Sequence, residues 1–360
     1  MKILVGLSGG VDSSVVACVL KEQGHEVIGA TMSIWDKEKF LNITASKEGC
    51  FSPHEEVDIK SAQDLCEKLG IKHYVVDCTK QYQKIVLENF KQEYLSGRTP
   101  NPCVICNSKI KFDALPMGAK DMGIEFDKFA TGHYAQISYN DKTKRYQLKR
   151  GKDEKKDQSY FIYRLNQEQL SKIIMPLGEL TKEEVRNMAK KYNLEVSDKK
   201  DSQDFFNGDI NDILQTEPKK GNFVDKNGKI LGSHNGIWNF TVGQRRGLGI
   251  SADRPLYVIG LNKDKNEVIL GYVEDGYTTS IKTTDISWLS SNPIKEERQI
   301  KVKVRSSQHP FDAKYIPIDE KTATIIFNEN QNAIASGQSV VFYDDNDYVL
   351  GGGFIEINKG

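Results

Sequence analysis

The hydrophobic positions of the first 150 residues alternate between short apolar runs and amphipathic stretches. A buried strand is predicted at residues 3–7, followed by a glycine turn and a helix with Val15, Val16, Val19 and Leu20 on its apolar face. The alternation continues with strands at 25–35, 71–78 and 126–137 and with a helix at 54–70 whose buried side holds Val57, Ala62, Leu65 and Leu69. Such alternation favours a parallel sheet with ligands at the carboxyl ends of its strands. The pattern therefore predicts an α/β domain.

The pattern changes along the rest of the chain. Residues 152–199 are predicted to be mostly helical, with a capping box formed by Thr181 and Glu184. Beyond residue 208, short alternating strands with turns such as Asn227-Gly228 take over. We therefore predict an α/β domain at 1–208, a small central domain at 209–282 and a C-terminal β-barrel at 283–360.

Composition and charge restrict the function. The 360 residues are 38% hydrophobic and 28% charged, and no stretch approaches the ~20 apolar residues that span a bilayer. Fifty basic and fifty acidic residues cancel, which argues against a protein that binds DNA or another polyanion through bulk charge. Local basic faces remain open at 149–156, 243–247 and 301–305, where a solvated surface run is the alternative.

The six cysteines all lie within the first 106 residues and do not form a disulfide framework. The amino terminus also lacks the apolar run of a signal peptide. Both features predict a reducing, cytoplasmic location without membrane attachment. Cys18 and Cys66 lie in amphipathic helix patterns and Cys78 at a strand end, so these thiols are predicted to be buried packing residues.

The turn after the first strand reads SGGVDS, from Ser8 to Ser13. Glycines let backbone N–H groups approach an anion, and the following helix directs its positive end there. Walker A and G-x-G-x-x-G patterns are absent. The turn matches the SGGxDS signature of the PP-loop, which holds the pyrophosphate end of ATP in enzymes that cleave between the α- and β-phosphates. Asp12 would help to hold Mg²⁺ through the phosphates.

Further residues are expected at the same sheet edge. Met32 ends the second strand, where an adenine could lie against it, although core packing is the alternative. Gly132 and His133 in ATGHYA lie on the same rim, and a functional role is favoured for His133. The predicted ATP-binding residues are Gly6, Leu7, Ser8, Gly9, Gly10, Val11, Asp12, Ser13, Met32 and Gly132.

The stretch TPNPCVICN, residues 99–107, carries two cysteines three positions apart. Its prolines suit neither a helix interior nor a central strand, so Cys103 and Cys106 are predicted to lie on an ordered loop. The spacing alone fits a metal clip, a redox couple, or a nucleophile with a helper.

Six blocks together resemble the bacterial tRNA-specific 2-thiouridylases. They are GLSGGVDSSV, GRTPNPCVICNSKIKF, ATGHYA, KDQSYF, FTVGQRRGLGI and SGQSVVFY, and they extend from residue 6 to residue 343 in the family's order. The resemblance implies that residues 1–208 form a catalytic PP-loop (adenine nucleotide α-hydrolase-like) domain that uses ATP and Mg²⁺, and that the central domain at 209–282 binds tRNA. It also implies that O2 of the wobble uridine is adenylated and then replaced by sulfur from a cysteine persulfide. The implied partners are the anticodon stem-loop of tRNA and a sulfur donor, which is a cysteine desulfurase, a relay protein or sulfide.

The resemblance assigns the catalytic nucleophile to Cys106. A helix is predicted to begin just after it, and a thiol at a helix N-terminus has a lowered pKa, with help from Lys109 and Lys111. Asn101 and Pro102 would shape the pocket of the flipped-out base. The implied tRNA-binding residues are Asn101, Pro102, Cys103, His133, Lys156, Asp157, Gln158, Arg305, Ser306 and Gln338. Arg245 and Arg246 could contact tRNA phosphates or belong to a salt-bridged hairpin.

The sequence departs from the family at Phe206. Many members have a second catalytic cysteine there, which accepts the incoming sulfur as a persulfide and later resolves the nucleophile as a disulfide. Three roles for Cys103 remain open: a resolving thiol paired with Cys106, a ligand with Cys106 and Cys50 of a 4Fe–4S cluster, or an inert residue. A tRNA-binding paralogue without thiolation activity, or another PP-loop adenylating enzyme, is the alternative function.

Overall fold

The structure is a computed structural model, and it describes residues 1–40, 43, 49–194 and 205–357. Chain contacts divide it into two compact units. The first comprises Met1–Leu87, Pro102–Asp212 and Asp347–Val349, and the second comprises Glu88–Asn101, Ile213–Asn346 and Leu350–Gly360. The last residues of the predicted helical stretch 152–199, the start of the block DSQDFFNGD and the last three residues of the predicted barrel domain lie outside the described residues.

A parallel sheet forms the centre of the first unit. The strands of this unit are β1 (Lys2–Gly6), β2 (Glu26–Ser33), β3 (His73–Asp77), β4 (Lys128–Ala130), β5 (Ala135–Asn140), β6 (Arg145–Arg150) and β7 (Ile173–Ile174). The sheet has the order β3-β2-β1-β4-β7, and its neighbouring strands are parallel. β5 and β6 form a separate antiparallel pair. Because β1, β2 and β4 run in one direction, the loops that follow them meet at one edge.

Helices occur in both units. In chain order they are α1 (Val11–Glu22), α2 (Glu55–Leu69), α3 (Thr79–Tyr82), α4 (Glu88–Leu95), α5 (Pro102–Cys106), α6 (Leu115–Asp121), α7 (Ser159–Ile162), α8 (Gln167–Lys172), α9 (Lys182–Lys191) and α10 (Ile210–Leu214). Gln83–Leu87 and Asn107–Ala114 are π-helical. Within the described ranges, no helix is long and apolar enough to cross a membrane.

The core of the first unit explains why its first element is a strand. Ile3, Leu4 and Val5 are completely buried, as expected for a strand covered on both faces. Val15 and Val16 of α1 pack in the same apolar cluster as Ile3 and Val5. This packing fixes α1 directly behind the loop that connects it to β1.

The second unit is built from β-structure. Its strands are β8 (Gly221–Asp225), β9 (Ile230–His234), β10 (Tyr257–Asn262), β11 (Glu267–Gly271), β12 (Thr278–Trp288), β13 (Arg298–Lys303), β14 (Phe311–Pro317), β15 (Ala323–Gln331), β16 (Ser339–Tyr343) and β17 (Val349–Glu356). A small sheet has the order β10-β11-β8-β9, and a closed barrel has the order β12-β15-β14-β13-β16-β17. Val302, Tyr315 and Phe342 are completely buried in the barrel core.

The predicted fold class is confirmed: a parallel-sheet domain is followed by a small central sheet and a β-barrel. The capping box is also present, since Glu184 N–H donates to Thr181 Oγ1 at 3.2 Å and Thr181 N–H donates to Glu184 Oε2 at 2.6 Å. The turn at Asn227-Gly228 connects β8 to β9 as predicted, with φ of +85° at Gly228.

Local predictions failed at three places. Val57 is 48% exposed because it lies five residues before Ala62, which turns it about 140° away from the buried face of α2. The strand predicted at 126–137 is divided into β4 and β5 by residues 131–134. The two-residue strand β7 was not predicted, because so short a segment carries no periodic signal.

Candidate active site

The loop between β1 and α1 has the geometry of an anion-binding turn. Gly9 has φ of +68°, and a Cβ there would lie 2.6 Å from the carbonyl oxygen of Asp58, so only glycine fits. Within the described residues, no side chain caps the first turn of α1, and its N–H groups point toward the loop. Ser14 Oγ donates to the carbonyl oxygen of Gly10 at 2.8 Å, and Ser8 N–H donates to Ser13 Oγ at 3.2 Å. These bonds fix the conformation of the loop.

Asp12, in the first turn of α1, is held by two residues that the sequence did not indicate. Lys182 Nζ lies 2.8 and 2.9 Å from the Asp12 carboxylate oxygens, and the Tyr134 hydroxyl donates to Asp12 Oδ1 at 2.8 Å. Lys182 and Tyr134 are buried, with 8% and 2% exposure. Because Lys182 lies 170 positions from Asp12, no local pattern could have connected them.

Asp12 fits one kind of Mg²⁺ site. In the described part of the chain, no group of three or more His, Cys, Asp or Glu residues is arranged to hold a metal ion. Mg²⁺ commonly binds through one or two carboxylates while substrate phosphates and water complete its shell. Asp12 is a single carboxylate of this kind, and both of its oxygens accept from Lys182 Nζ in this structure, so an ion that arrives with ATP would replace that contact.

Other members of the predicted ATP-binding set surround the same loop. A Cβ on Gly132 would lie 2.9 Å from both Asp12 Cβ and Ser13 N, so the backbone at 132 packs directly on α1. A Cβ added to Gly6 would lie 3.0 Å from the ring of Phe129. Leu7 N–H donates to the carbonyl oxygen of Ala30 at 2.8 Å. Val11 is buried, so it serves packing. Met32 is half-buried at the end of β2.

His133 is a buried neutral residue beside this loop. Its Nδ1 lies 2.8 Å from Thr131 Oγ1, and its ring centroid lies 5.2 Å from that of Phe112. Burial, with the nearby charge of Lys111, lowers the pKa of His133 to about 3. His133 therefore carries no charge near pH 7. Because Phe112 belongs to the π-helical segment that follows Cys106, this contact connects the cysteine-bearing helix to the ATP loop.

The cysteine pair lies on a helix, and two predictions about it are wrong. Helix α5 begins at Pro102, because proline is favoured in the first helical turn, where its missing N–H costs nothing. Cys103 and Cys106 therefore lie one turn apart on the same helix, not on a loop. The helix also does not begin after Cys106, since Cys106 is the last residue of α5 and the chain continues as the π-helical segment Asn107–Ala114.

The expected activation of Cys106 by a helix N-terminus is absent as a result. Cys106 is 7% exposed, and burial raises the pKa of its thiol to about 12, although the charge of Lys111 acts to lower it. Lys109 is exposed.

Asn107 is a further polar residue, and it directly follows Cys106. Its Nδ2 donates to the carbonyl oxygen of Phe161 at 3.2 Å, and its buried Oδ1 has no hydrogen-bond partner among the described residues. That oxygen can accept a hydrogen bond from a bound group.

The remaining cysteines divide into two sets. Cys18, Cys66 and Cys78 are buried as predicted, and burial raises their pKa values to about 11, 12 and 11. Cys50 is exposed and Cys103 is half-exposed. Two residues feel the charges of three cysteines, Cys50, Cys103 and Cys106. These charges raise the pKa of Tyr82, which burial also raises. They likewise raise the pKa of Lys111, whereas burial acts to lower it. The three thiols are therefore close enough to Tyr82 and Lys111 to act on both electrostatically. As placed, they do not form a metal-holding group among the described residues.

The block KDQSYF is held by its own polar contacts. The Asp157 side chain is completely buried, lies 3.3 Å from Arg150 Nε and accepts from Gly151 N–H at 3.1 Å. This differs from the exposed side chain that a direct tRNA contact needs. Gln158 Oε1 accepts from Tyr134 N–H at 2.9 Å, and Lys156 is half-buried. The block therefore positions Tyr134, which in turn contacts Asp12.

In the second unit, the predicted tRNA-binding residues also contact the backbone. Gln338 Nε2 donates to the carbonyl oxygens of Thr99 and Pro100 at 3.2 and 2.8 Å. Arg305 donates to the carbonyl oxygens of Asn332 and Ala333. Ser306 is half-buried and Asn101 is buried. Gln338 thus fixes the segment that precedes the cysteine helix.

The arginines of GQRRG do not form the salt-bridged hairpin that was one of the alternatives. Residues 241–250 contain no strand. Arg245 and Arg246 are exposed, and neither makes an ion pair with another described residue. Their charges are therefore available to an anionic partner.

The parallel sheet and its SGGVDS loop place the chain among the PP-loop proteins, whose ATP-utilising domain binds the nucleotide at this loop. Family models match three successive segments: a tRNA methyl transferase HUP domain at residues 1–206, a tRNA methyl transferase PRC-barrel domain at 210–272 and an aminomethyltransferase beta-barrel domain at 278–355.

Full-length relatives then define the family. A tRNA-specific 2-thiouridylase MnmA of Endomicrobium trichonymphae is 50% identical over 99% of this chain and 99% of its own. Proteins of the same name from Clostridium botulinum (strain Eklund 17B / Type B) and Acetivibrio thermocellus are 45% and 44% identical, over 99% of this chain and 98% and 99% of theirs. The chain belongs to the tRNA-specific 2-thiouridylase family.

Proposed function

We propose that the protein catalyses the ATP-dependent 2-thiolation of the wobble uridine of tRNA. The observation that carries the proposal is a chain of contacts, within the first unit, between the helix that bears Cys106 and the SGGVDS loop. Phe112, on the helical run that follows Cys106, packs on His133, and the neighbouring Gly132 packs on Asp12 of the ATP loop. A phosphate-binding loop and a thiol are both needed by a reaction that adenylates an oxygen and then replaces it by sulfur.

The reaction proceeds in two balanced steps. First, uracil O2 attacks the α-phosphate of ATP, the bond to the β-phosphate breaks, and pyrophosphate leaves with the electron pair. The SGGVDS loop holds the phosphates through N–H groups and hydroxyls, and Asp12 would hold the Mg²⁺ that accompanies them in exchange for its contact with Lys182. Second, a sulfur nucleophile attacks C2 and expels AMP. We assign to Cys106 the role of a nucleophilic thiolate in this sulfur transfer, with Lys111 stabilising negative charge on its sulfur.

The proposal includes a set of residues that bind the tRNA. Asn101, Pro102, Cys103 and His133 are proposed to surround the flipped-out base, and the Asn107 Oδ1 atom is an acceptor suited to a base N–H. Lys156, Gln158, Arg305, Ser306 and Gln338 are proposed to position the anticodon stem-loop, with Asp157 acting through the loop that it holds. We expect the protein to act in the cytoplasm.

The role of Cys103 is tested separately from that of Cys106. Its position one helical turn before Cys106 is compatible with a resolving thiol that forms a Cys103–Cys106 disulfide. The 4Fe–4S hypothesis predicts iron and visible absorbance after anaerobic purification. A colourless, iron-free and fully active protein would eliminate the cluster.

The decisive experiment measures both products. The full chain is incubated with ATP, Mg²⁺, a tRNA transcript and a sulfur source, and AMP and 2-thiouridine are quantified. One AMP per thiouridine is expected, and a transcript with cytidine at the wobble position should give neither. Thiolated product without AMP would refute the mechanism, and a fully active Cys106→Ala variant would refute the nucleophile. Binding of tRNA without either product would favour the paralogue that lacks thiolation activity, which Phe206 motivates.

A further inference from the structure

The position of Cys106 raises the question of how sulfur reaches it. Cys106 is 7% exposed and lies at the end of α5 inside the first unit. A donor that is itself a protein cannot bring its sulfur atom to a thiol buried to this degree. Cys50, in contrast, is exposed.

The segment that carries Cys50 is fixed on both sides. Phe51 N–H donates to the carbonyl oxygen of Phe205 at 2.9 Å. A Cβ on Gly49 would lie 3.2 Å from Asn207 N and 3.3 Å from Phe206 Cα. The backbone at 49–51 therefore lies directly against residues 205–207, so Cys50 stands beside the position at which the second cysteine of the family is missing.

The same segment leads to the cysteine helix. Phe51 is completely buried, and its ring stacks on Tyr82 with a centroid distance of 5.5 Å and an interplanar angle of 17°. Tyr82 ends α3, and α5 packs against the π-helical segment Gln83–Leu87 that follows it. Cys50, Cys103 and Cys106 all act electrostatically on Tyr82 and on Lys111. Cys50 is thus the solvent-facing member of this group of thiols.

We infer that Cys50 accepts the incoming sulfur as a persulfide and presents it to the adenylated uridine, while Cys106 resolves the resulting disulfide. The inference rests on the proposed function, and it gives Cys50 the role left open by Phe206. It also assigns Cys106 a partner other than Cys103.

The reaction consists of three substitution steps and a final reduction. The Cys50 thiolate attacks the terminal sulfur of a persulfide donor, whose S–S bond breaks with the electron pair leaving on the donor thiolate. The terminal sulfur of the Cys50 persulfide then attacks C2, and AMP leaves with the electron pair of the C–O bond. The Cys106 thiolate attacks Cys50 Sγ, the S–S bond to the substrate sulfur breaks, and 2-thiouridine is released and protonated. A dithiol reductant finally reduces the Cys50–Cys106 disulfide.

The test separates loading, adenylation and transfer. The full chain is treated with glutathione persulfide alone, alkylated and mapped by mass spectrometry, and AMP and 2-thiouridine are then measured with ATP and tRNA. The wild type is expected to carry the additional sulfur on Cys50. Cys50→Ser should lose this sulfur and at least about nine-tenths of thiouridine formation from the persulfide, while it still adenylates tRNA. Cys66→Ala, which removes a packing thiol, is the matched control and should load like the wild type.

Two further arms make the result specific. Sodium sulfide, which needs no carrier thiol, should restore thiolation by Cys50→Ser. Phe206→Cys in the Cys50→Ser background should restore loading from the persulfide, because residues 49–51 and 205–207 are adjacent. Loading of Cys103 or Cys106 in place of Cys50, or unchanged thiolation by Cys50→Ser with the persulfide, would overturn the inference. Absence of AMP formation in the wild type would instead overturn the proposed function.

Discussion

Replacing Lys182 by methionine should loosen the ATP loop. The change keeps the length of the side chain but removes the cation that lies 2.8 and 2.9 Å from the Asp12 carboxylate. A hydrogen bond to a charged group contributes about 1.5–3 kcal/mol, and loss of one partner of a fully buried ion pair costs about 3–5 kcal/mol. The Lys182 and Asp12 side chains are 10% and 26% exposed, so water screens the pair in part. We therefore expect Lys182→Met to cost about 2–3 kcal/mol.

Amide hydrogen exchange of α1 is the measurement that isolates this effect. A loss of about 2–3 kcal/mol corresponds to exchange about 30 to 150 times faster in α1, and AMP formation should fall because Asp12 is no longer held in one orientation. Lys152→Met is the matched control. Lys152 pairs with Glu184 at 3.3 Å, but both side chains are about half exposed, and such surface pairs contribute about 0–1 kcal/mol.

A double-mutant cycle decides whether the ion pair is responsible. Asp12→Asn and Lys182→Met, made singly and together, should show a coupling of about 1–3 kcal/mol. A coupling within about 0.3 kcal/mol of zero would mean that Lys182 stabilises α1 through packing alone, and the assignment of Lys182 as the residue that holds Asp12 would be refuted.

Three further predictions follow from geometry and burial. Gly9→Ala should abolish AMP formation and destabilise the protein by more than the ~1 kcal/mol expected for Gly24→Ala. Gly9 and Gly24 both have positive φ, but only at Gly9 would a Cβ also meet a carbonyl oxygen, at 2.6 Å. Equal destabilisation by the two variants would contradict this reasoning. The pKa of His133 is lowered to about 3 in the folded state, so between about pH 6.5 and pH 3 the unfolded state binds the extra proton and stability falls with decreasing pH by up to about 1.4 kcal/mol per unit. His133→Gln should flatten this acid limb in urea titrations, and an unchanged slope would show that His133 does not contribute. Iodoacetamide should alkylate exposed Cys50 first, whereas the rate at Cys106 should keep rising above pH 9, because burial raises its pKa to about 12; rapid alkylation of Cys106 at pH 7 would show that the thiol is not buried in solution.

Sequence reasoning succeeded where the determinants are local. The β1–loop–α1 unit was predicted because an apolar run, two glycines and an amphipathic helix occupy adjacent positions, and each reports on its own conformation. The presence of a C-terminal barrel is predictable for the same reason, since alternation with period two identifies a strand without knowledge of its partners.

The failures have two physical causes. At Pro102, the sequence predicts a loop because proline interrupts most helices, although the first turn of a helix also favours proline. Whether Pro102 begins a helix or lies in a loop depends on the packing around α5. At Asp12, the partners Lys182 and Tyr134 come from distant elements, so only the folded sheet brings them together. Asp157 shows the same limit: its acidic side chain suggests a surface contact, but Arg150 pairs with it inside the unit.

The π-helical segment between α5 and α6 makes the length of this region as consequential as its residue types. Removal of one residue from 107–114 would shift every later position by one residue, a rotation of about 100° about the helix axis wherever the run keeps its hydrogen-bond pattern. Lys111 would then turn away from Cys106, and Phe112 would leave the ring of His133. The number of residues between Cys106 and Phe112, the contact of His133, therefore constrains this region in addition to the side chains themselves.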